Sequence, residues 1–89
     1  MSKIIREGNN PRGLLHQVQT EDGRHYWIST VYVDTPLGNG HETLAVRCRK
    51  SGSVSRTAWE KASTWNHGKS LEEAAAWHKK ACESLEVMI

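Results

Sequence analysis

The chain has 89 residues, 37% of them hydrophobic and 25% charged, and 12 Lys and Arg against 10 Asp and Glu leave a formal net charge of +2. Such a chain makes one small domain that buries only about 60–65% of the surface its unfolded form exposes. Nothing in it approaches the ~18 consecutive apolar residues that span a membrane, and the opening MSKIIREGNN lacks the apolar stretch of a secretory signal.

Cys48 and Cys82 lie far apart and outside any CxxC pair, so reduced thiols and a cytoplasmic setting are expected. A pI near 8.7 permits a phosphate partner without demanding one.

Residues 1–12 carry Gly8, Asn9, Asn10 and Pro11 and read as an irregular lead-in to a single domain over 13–89. A first strand is expected from Gly13 to Glu21. Asp22-Gly23 then fits a two-residue hairpin turn, because both residues tolerate positive φ. The second strand, Arg24 to Asp34, is rich in β-branched and aromatic residues and is apolar on parts of both faces. Thr35 to His41, with Pro36, Gly38 and Gly40, reads as a loop. In the third strand, Glu42 to Lys50, Leu44, Val46 and Cys48 alternate with Ala45, Arg47 and Arg49.

After the turn Ser51-Gly52-Ser53, the segment from Arg56 to Trp65 fits two descriptions. Trp59 and Trp65 follow a period of two, as in a fourth short strand ending near Trp65. Ser55 equally can cap one or two helical turns through Ala58 and Ala62. The strand is the preferred description. Asn66-His67-Gly68 breaks the chain, and Ser70-Leu71-Glu72-Glu73 opens a helix with a capping box. Leu71, Ala74, Ala75, His78, Cys82 and Leu85 share one face of that helix. The helix is expected to cover the sheet face carrying Leu44, Val46 and Cys48. The predicted fold is α+β: a three- or four-stranded antiparallel sheet, mostly a meander, with one C-terminal helix packed on one face. Open sheet edges make a homodimer one expectation.

The segments ISTVYVDTP at 28–36, HETLAV at 41–46 and SLEEAAAWH at 70–78 together resemble a group of small phage and prophage proteins of unknown function. Those proteins have an S-T-V strand, an E-T-[ML] strand and an E-E-A…H helix. The resemblance covers residues 26–50 and 63–85, and the chain departs from it over 51–65, where Arg56 and two tryptophans stand, and in its longer basic lead-in. It implies a phage or mobile-element gene product acting in the host cytoplasm, and it brings no established activity with it.

No constellation points to catalysis. Ser29, Asp34 and His41 lack a nucleophile elbow and a Gly-rich oxyanion loop. Gly38-Asn39-Gly40 matches no phosphate-binding loop. His78 and Cys82, four apart on the helix, share a face and can hold two ligands of a zinc site, with Cys48 as an example of a third. Nothing in the sequence brings His16, His25, His41 or His67 to that point, and the pair reads as structural. No metal and no cofactor are expected.

Arg47, Arg49 and Lys50, with Arg56 past the turn and Trp27 placed on the same sheet face, form the expected contact surface together with Asn39 and His41 of the loop. Arginines beside an aromatic on a sheet suit phosphates and bases. A sheet backed by one helix is also the plan of AP2-like DNA-binding domains. Four tryptophans without a phenylalanine, and the apolar ending Val87-Met88-Ile89, suit an interface with another chain. The expected function is therefore non-enzymatic. It is a phage accessory protein that binds a host protein or protein complex, with inhibition of a defence system, such as anti-CRISPR activity, as one form of that role. A small DNA- or RNA-binding domain is the alternative.

Overall fold

The computed structural model describes residues 2–10, 13–35, 38–60, 63–67 and 70–85. Its elements are β1 (Lys3–Glu7), β2 (Gly13–Gln19), β3 (His25–Thr35), β4 (Gly38–Cys48), α1 (Arg56–Glu60), β5 (Ser63–His67) and α2 (Leu71–Glu83). The strands form one antiparallel five-stranded sheet in chain order, and α2 lies across β1 to β4. The α+β class, the meander and the C-terminal helix on one face are as expected. The four expected strands are β2 to β5. Residues 3–7, expected to be irregular, supply a fifth at the edge. Among the described residues no helix is long and apolar enough to cross a membrane.

Both hairpins differ from expectation in a way that sets the register. Between β2 and β3, Gly23 N donates to Thr20 O at 3.0 Å and Thr20 N donates to Arg24 O at 2.9 Å. Gly23 has φ +89°, whereas no described non-glycine residue has positive φ. The connection is therefore a three-residue loop that ends on a left-handed glycine, not a two-residue turn with positive φ at both centres. Asp22 works through its side chain instead. It accepts from the Thr20 hydroxyl and from Arg24 Nε at 2.9 Å. These two hydrogen bonds, Thr20's first, hold its carboxyl down at about 2.

The second hairpin is longer than expected. β3 and β4 pair from His25↔Cys48 to Thr35↔Gly38, so Gly38, Asn39, Gly40 and His41 belong to a strand rather than a loop. Glycine lacks strand propensity, but eleven continuous pairs carry the ladder through it. Pro36 and Leu37, between the two strands, lie outside the described residues.

The pairings His16↔Ile28, Val18↔Tyr26, Ile28↔Ala45 and Thr30↔Thr43 place all seven of these residues on one sheet face. Onto it α2 lowers Ala74, His78, Ala81 and Cys82, followed by Leu85 just past its end, all buried. Val18, Tyr26, Ile28, Ala45, Ala81, Cys82 and Leu85 form the hydrophobic cluster. The helix thus covers Ala45, not the expected Leu44, Val46 and Cys48. Small residues on both sides, Ala45 of the sheet and Ala81 of the helix in one cluster, leave room for the helix to come close. Alternation in β4 identified two faces, but both are buried, so it did not identify the layer over each.

The opposite face carries Gln17, His25, Trp27, Val46 and Cys48. It is covered by the chain itself as it leaves β4. Trp27 Nε1 donates to Gly52 O at 2.7 Å, and Gln17 Nε2 donates to Lys50 O at 3.1 Å and Arg49 O at 3.3 Å. Gly52 has φ +91°, and a Cβ there would stand 3.1 Å from Trp27 Cζ2 and 2.7 Å from Arg6 Nη1. The covering loop therefore needs glycine at that position. A bulge in β1 completes the layer. Ile4 pairs with Val18, but Arg6 pairs with Gln17, one step out of phase. That shift turns Arg6 to the loop side, where Nη1 donates to Gln17 Oε1 at 3.0 Å and to Ser51 O at 2.5 Å.

The preferred strand from Arg56 is corrected: Arg56–Glu60 is the helix α1, the alternative description, and the strand begins only at Ser63. Ser55 Oγ accepts from Ala58 N at 3.2 Å and caps α1, while β5 supplies the strand and runs two residues past Trp65. At the C-terminal helix, Ser70 Oγ accepts from Glu73 N at 3.2 Å, as the capping motif predicted. The far end of α2 is tied down by the N-terminus: Ser2 N donates to Glu83 O at 3.0 Å and Ser2 Oγ to Cys82 O at 2.5 Å. The ending Val87-Met88-Ile89 lies outside the described residues.

Candidate functional site

The expected contact surface divides into four places. Trp27 and Arg47 face opposite sides of the sheet, because Trp27 pairs with Val46 and Arg47 pairs with Tyr26. Trp27 is half-buried beneath the covering loop, with its N–H given to Gly52 O. Arg56 opens α1, after that loop. Asn39 and His41 sit toward the far end of the β3–β4 hairpin. There the His41 ring meets Tyr32 edge-on at 5.4 Å. The side chains of Asn39, Trp59 and Trp65 lie outside the described residues.

Arg47, Arg49 and Lys50 do stay together, exposed at the end of β4. Arg47 lies over the Tyr26 ring at 5.7 Å from its centre, and Arg24 lies near the same ring at 5.9 Å. Arg24 Nη1 also donates to the Tyr26 hydroxyl at 3.3 Å, while its Nε is held by Asp22. A guanidinium on an aromatic face loses little freedom when it meets an anion. Arg24 and Tyr26 were not among the expected contact residues, because the pairing of Tyr26 with Arg47 depends on register.

A second constellation lies under α2. His16 Nδ1 and His78 Nε2 are 2.9 Å apart, His78 Nδ1 is 2.8 Å from Thr30 Oγ1, and Thr30 Oγ1 is 2.7 Å from Thr43 Oγ1. This chain of polar atoms runs from half-buried His16 to Thr43, which is fully buried. Burial is the main cause that lowers His78 to about 4, with the neighbouring His16 adding to it. Burial likewise raises the Cys82 thiol to about 12.

The ligand atoms of His16, His78 and Cys82 all lie within 4.8 Å of one another. His16 thus reaches the helix pair that the sequence left isolated. Cys48 does not serve as the third group, since it pairs with His25 on the opposite face. The available signal for His16 was parity: Leu14, His16 and Val18 share a face of β2, and Val18 belongs in the core.

No protein-family model, curated protein or solved structure matches this chain.

Proposed function

We propose that this protein works by binding another macromolecule rather than by catalysis, and that the contact centres on the basic end of β4. The supporting observation is the exposed group Arg47, Arg49 and Lys50, with Arg47 stacked over Tyr26 beside Arg24. Stacked and exposed arginines suit an anionic partner surface, and they need no cofactor to act. The resemblance to small phage proteins directs the search to a host protein or protein complex in the bacterial cytoplasm, including components of a defence system such as CRISPR. Half-buried Trp27 stands apart from this group, on the opposite face with its N–H given to Gly52 O.

Affinity capture from nuclease-treated bacterial lysate tests the reading. A stoichiometric protein partner is expected with the wild type, and its affinity should fall at least about 10-fold in an Arg47→Ala, Arg49→Ala double variant. Retention of that partner by the folded double variant would show that the surface is assigned wrongly. The same basic end favours nucleic acid as a second reading. In that case capture is lost on nuclease treatment, and affinity falls linearly with salt on logarithmic axes.

A further inference from the structure

We propose that His16, His78 and Cys82 form a zinc-binding site between β2 and α2. Three features of the fold converge on it. The first is the ligand set. Two imidazoles and one thiolate suit zinc better than calcium or magnesium, which take oxygen ligands. The second is position. His78 and Cys82 stand four apart on one face of α2, and the His16↔Ile28 pairing turns His16 to the same side of the sheet.

The ligand atoms lie within 4.8 Å of one another, and His16 Nδ1 is 2.9 Å from His78 Nε2. Around a tetrahedral zinc with bonds of about 2.0–2.3 Å, ligand atoms are separated by roughly 3.3–3.8 Å. The distances in the protein bracket that range, so small side-chain adjustments suffice.

The third feature is the group behind the ligand. Zinc-bound histidine usually donates its other ring N–H to a fixed acceptor, which sets the tautomer and the ring orientation. His78 already has such a partner. Nδ1–H can donate to Thr30 Oγ1 at 2.8 Å while the Thr30 hydroxyl donates to Thr43 Oγ1 at 2.7 Å. That arrangement leaves the Nε2 lone pair facing His16 and Cys82. On zinc binding the His16 proton resides on Nε2, and Cys82 gives its thiol proton to solvent and binds as thiolate. Three protein ligands leave the fourth tetrahedral position to a water.

A direct binding experiment on reduced, metal-stripped wild-type protein decides the proposal. Titration with Co²⁺ should give one equivalent per chain, with intense visible bands of a tetrahedral site and a near-ultraviolet sulfur-to-cobalt band. Zinc should displace the cobalt. Zinc at about a hundredfold its Kd should raise Tm by at least ~10 °C. Cys82→Ser should abolish the sulfur band, and His16→Gln, at a half-buried position, should weaken uptake while far-UV circular dichroism stays unchanged. Absence of saturable uptake by the wild type at micromolar metal overturns the site whether or not either variant folds. Unchanged binding in either folded variant overturns it as well.

Discussion

The two faces of the sheet bury polar groups by opposite means. Beneath α2, side chains satisfy one another, and His16, His78, Thr30 and Thr43 form a chain without backbone partners in its links. On the other face, alongside the contacts of Gln17 with Arg6 and His25, side chains satisfy loose backbone. Gln17 and Trp27 give their N–H groups to carbonyls of Arg49, Lys50 and Gly52, and Arg6 gives its own to Ser51 O. A helix satisfies its own interior backbone, so the layer it forms leaves polar side chains to find side-chain partners. A loop brings unpaired carbonyls, and buried donors on the sheet answer them. The difference teaches that the helix face is sensitive to protonation, while the loop face is sensitive to backbone conformation.

Acid should have the largest effect, and it acts through the helix face. His78 titrates near 4 in the fold against 6.5 in an unfolded chain. Between these values the unfolded state binds more protons, so stability is complete above 6.5 and falls as pH drops toward 4. The His78 ring is flanked by His16 from β2, Cys82 of its own helix and the neutral Thr30 and Thr43, so no carboxylate among these groups offsets the loss. A shift of this size is worth up to ~3 kcal/mol. Urea unfolding in the presence of a chelator at pH 7 and pH 4.5 measures it, and a pH-independent midpoint would break the contrast between the faces.

Gly52→Ala should come next. It forces a side chain into left-handed backbone and against Trp27 and Arg6, at a cost of about 1–2 kcal/mol. Hydrogen exchange should then accelerate first in β1 and the N-terminal half of the loop, with α2 protected until global unfolding. Exchange that rises equally in α2 would show that the two layers open as one unit.

Trp27→Phe is the mildest of the three. It keeps most of the ring and removes the donor to Gly52 O, so about 1 kcal/mol of stability should go. A stability change that matches Gly52→Ala, with no further loss in the double variant, would place both effects in the same contact.

Much of the fold was legible locally. The Ser70 cap, the helix stripe through Ala74, His78 and Cys82, and the β-rich run of β3 all rest on neighbours within a few residues, and the structure follows them. The sites were less legible because each depends on which residues face each other across strands. A two-residue turn at Asp22-Gly23 sets Glu21 opposite Arg24, and by the same register Val18 opposite Trp27. The three-residue loop sets Val18 opposite Tyr26. Since side chains alternate along a strand, that single step moves Trp27 to the loop side and brings Tyr26 and Ile28 under the helix. The β3–β4 register, set independently, separates Trp27 from Arg47 and joins Arg47 to Tyr26.

The sequence by itself determined that β2, β3 and most of β4 are strands, the α+β class and the capped helix, because these follow from periodicity and capping within short windows. Only the tertiary structure decided the fifth strand, the layer over each face, and the meeting of His16 with His78 across 62 positions. Those outcomes rest on strand register and on the closure of the chain over its own sheet, where one residue's shift exchanges the two faces and no local pattern records the choice.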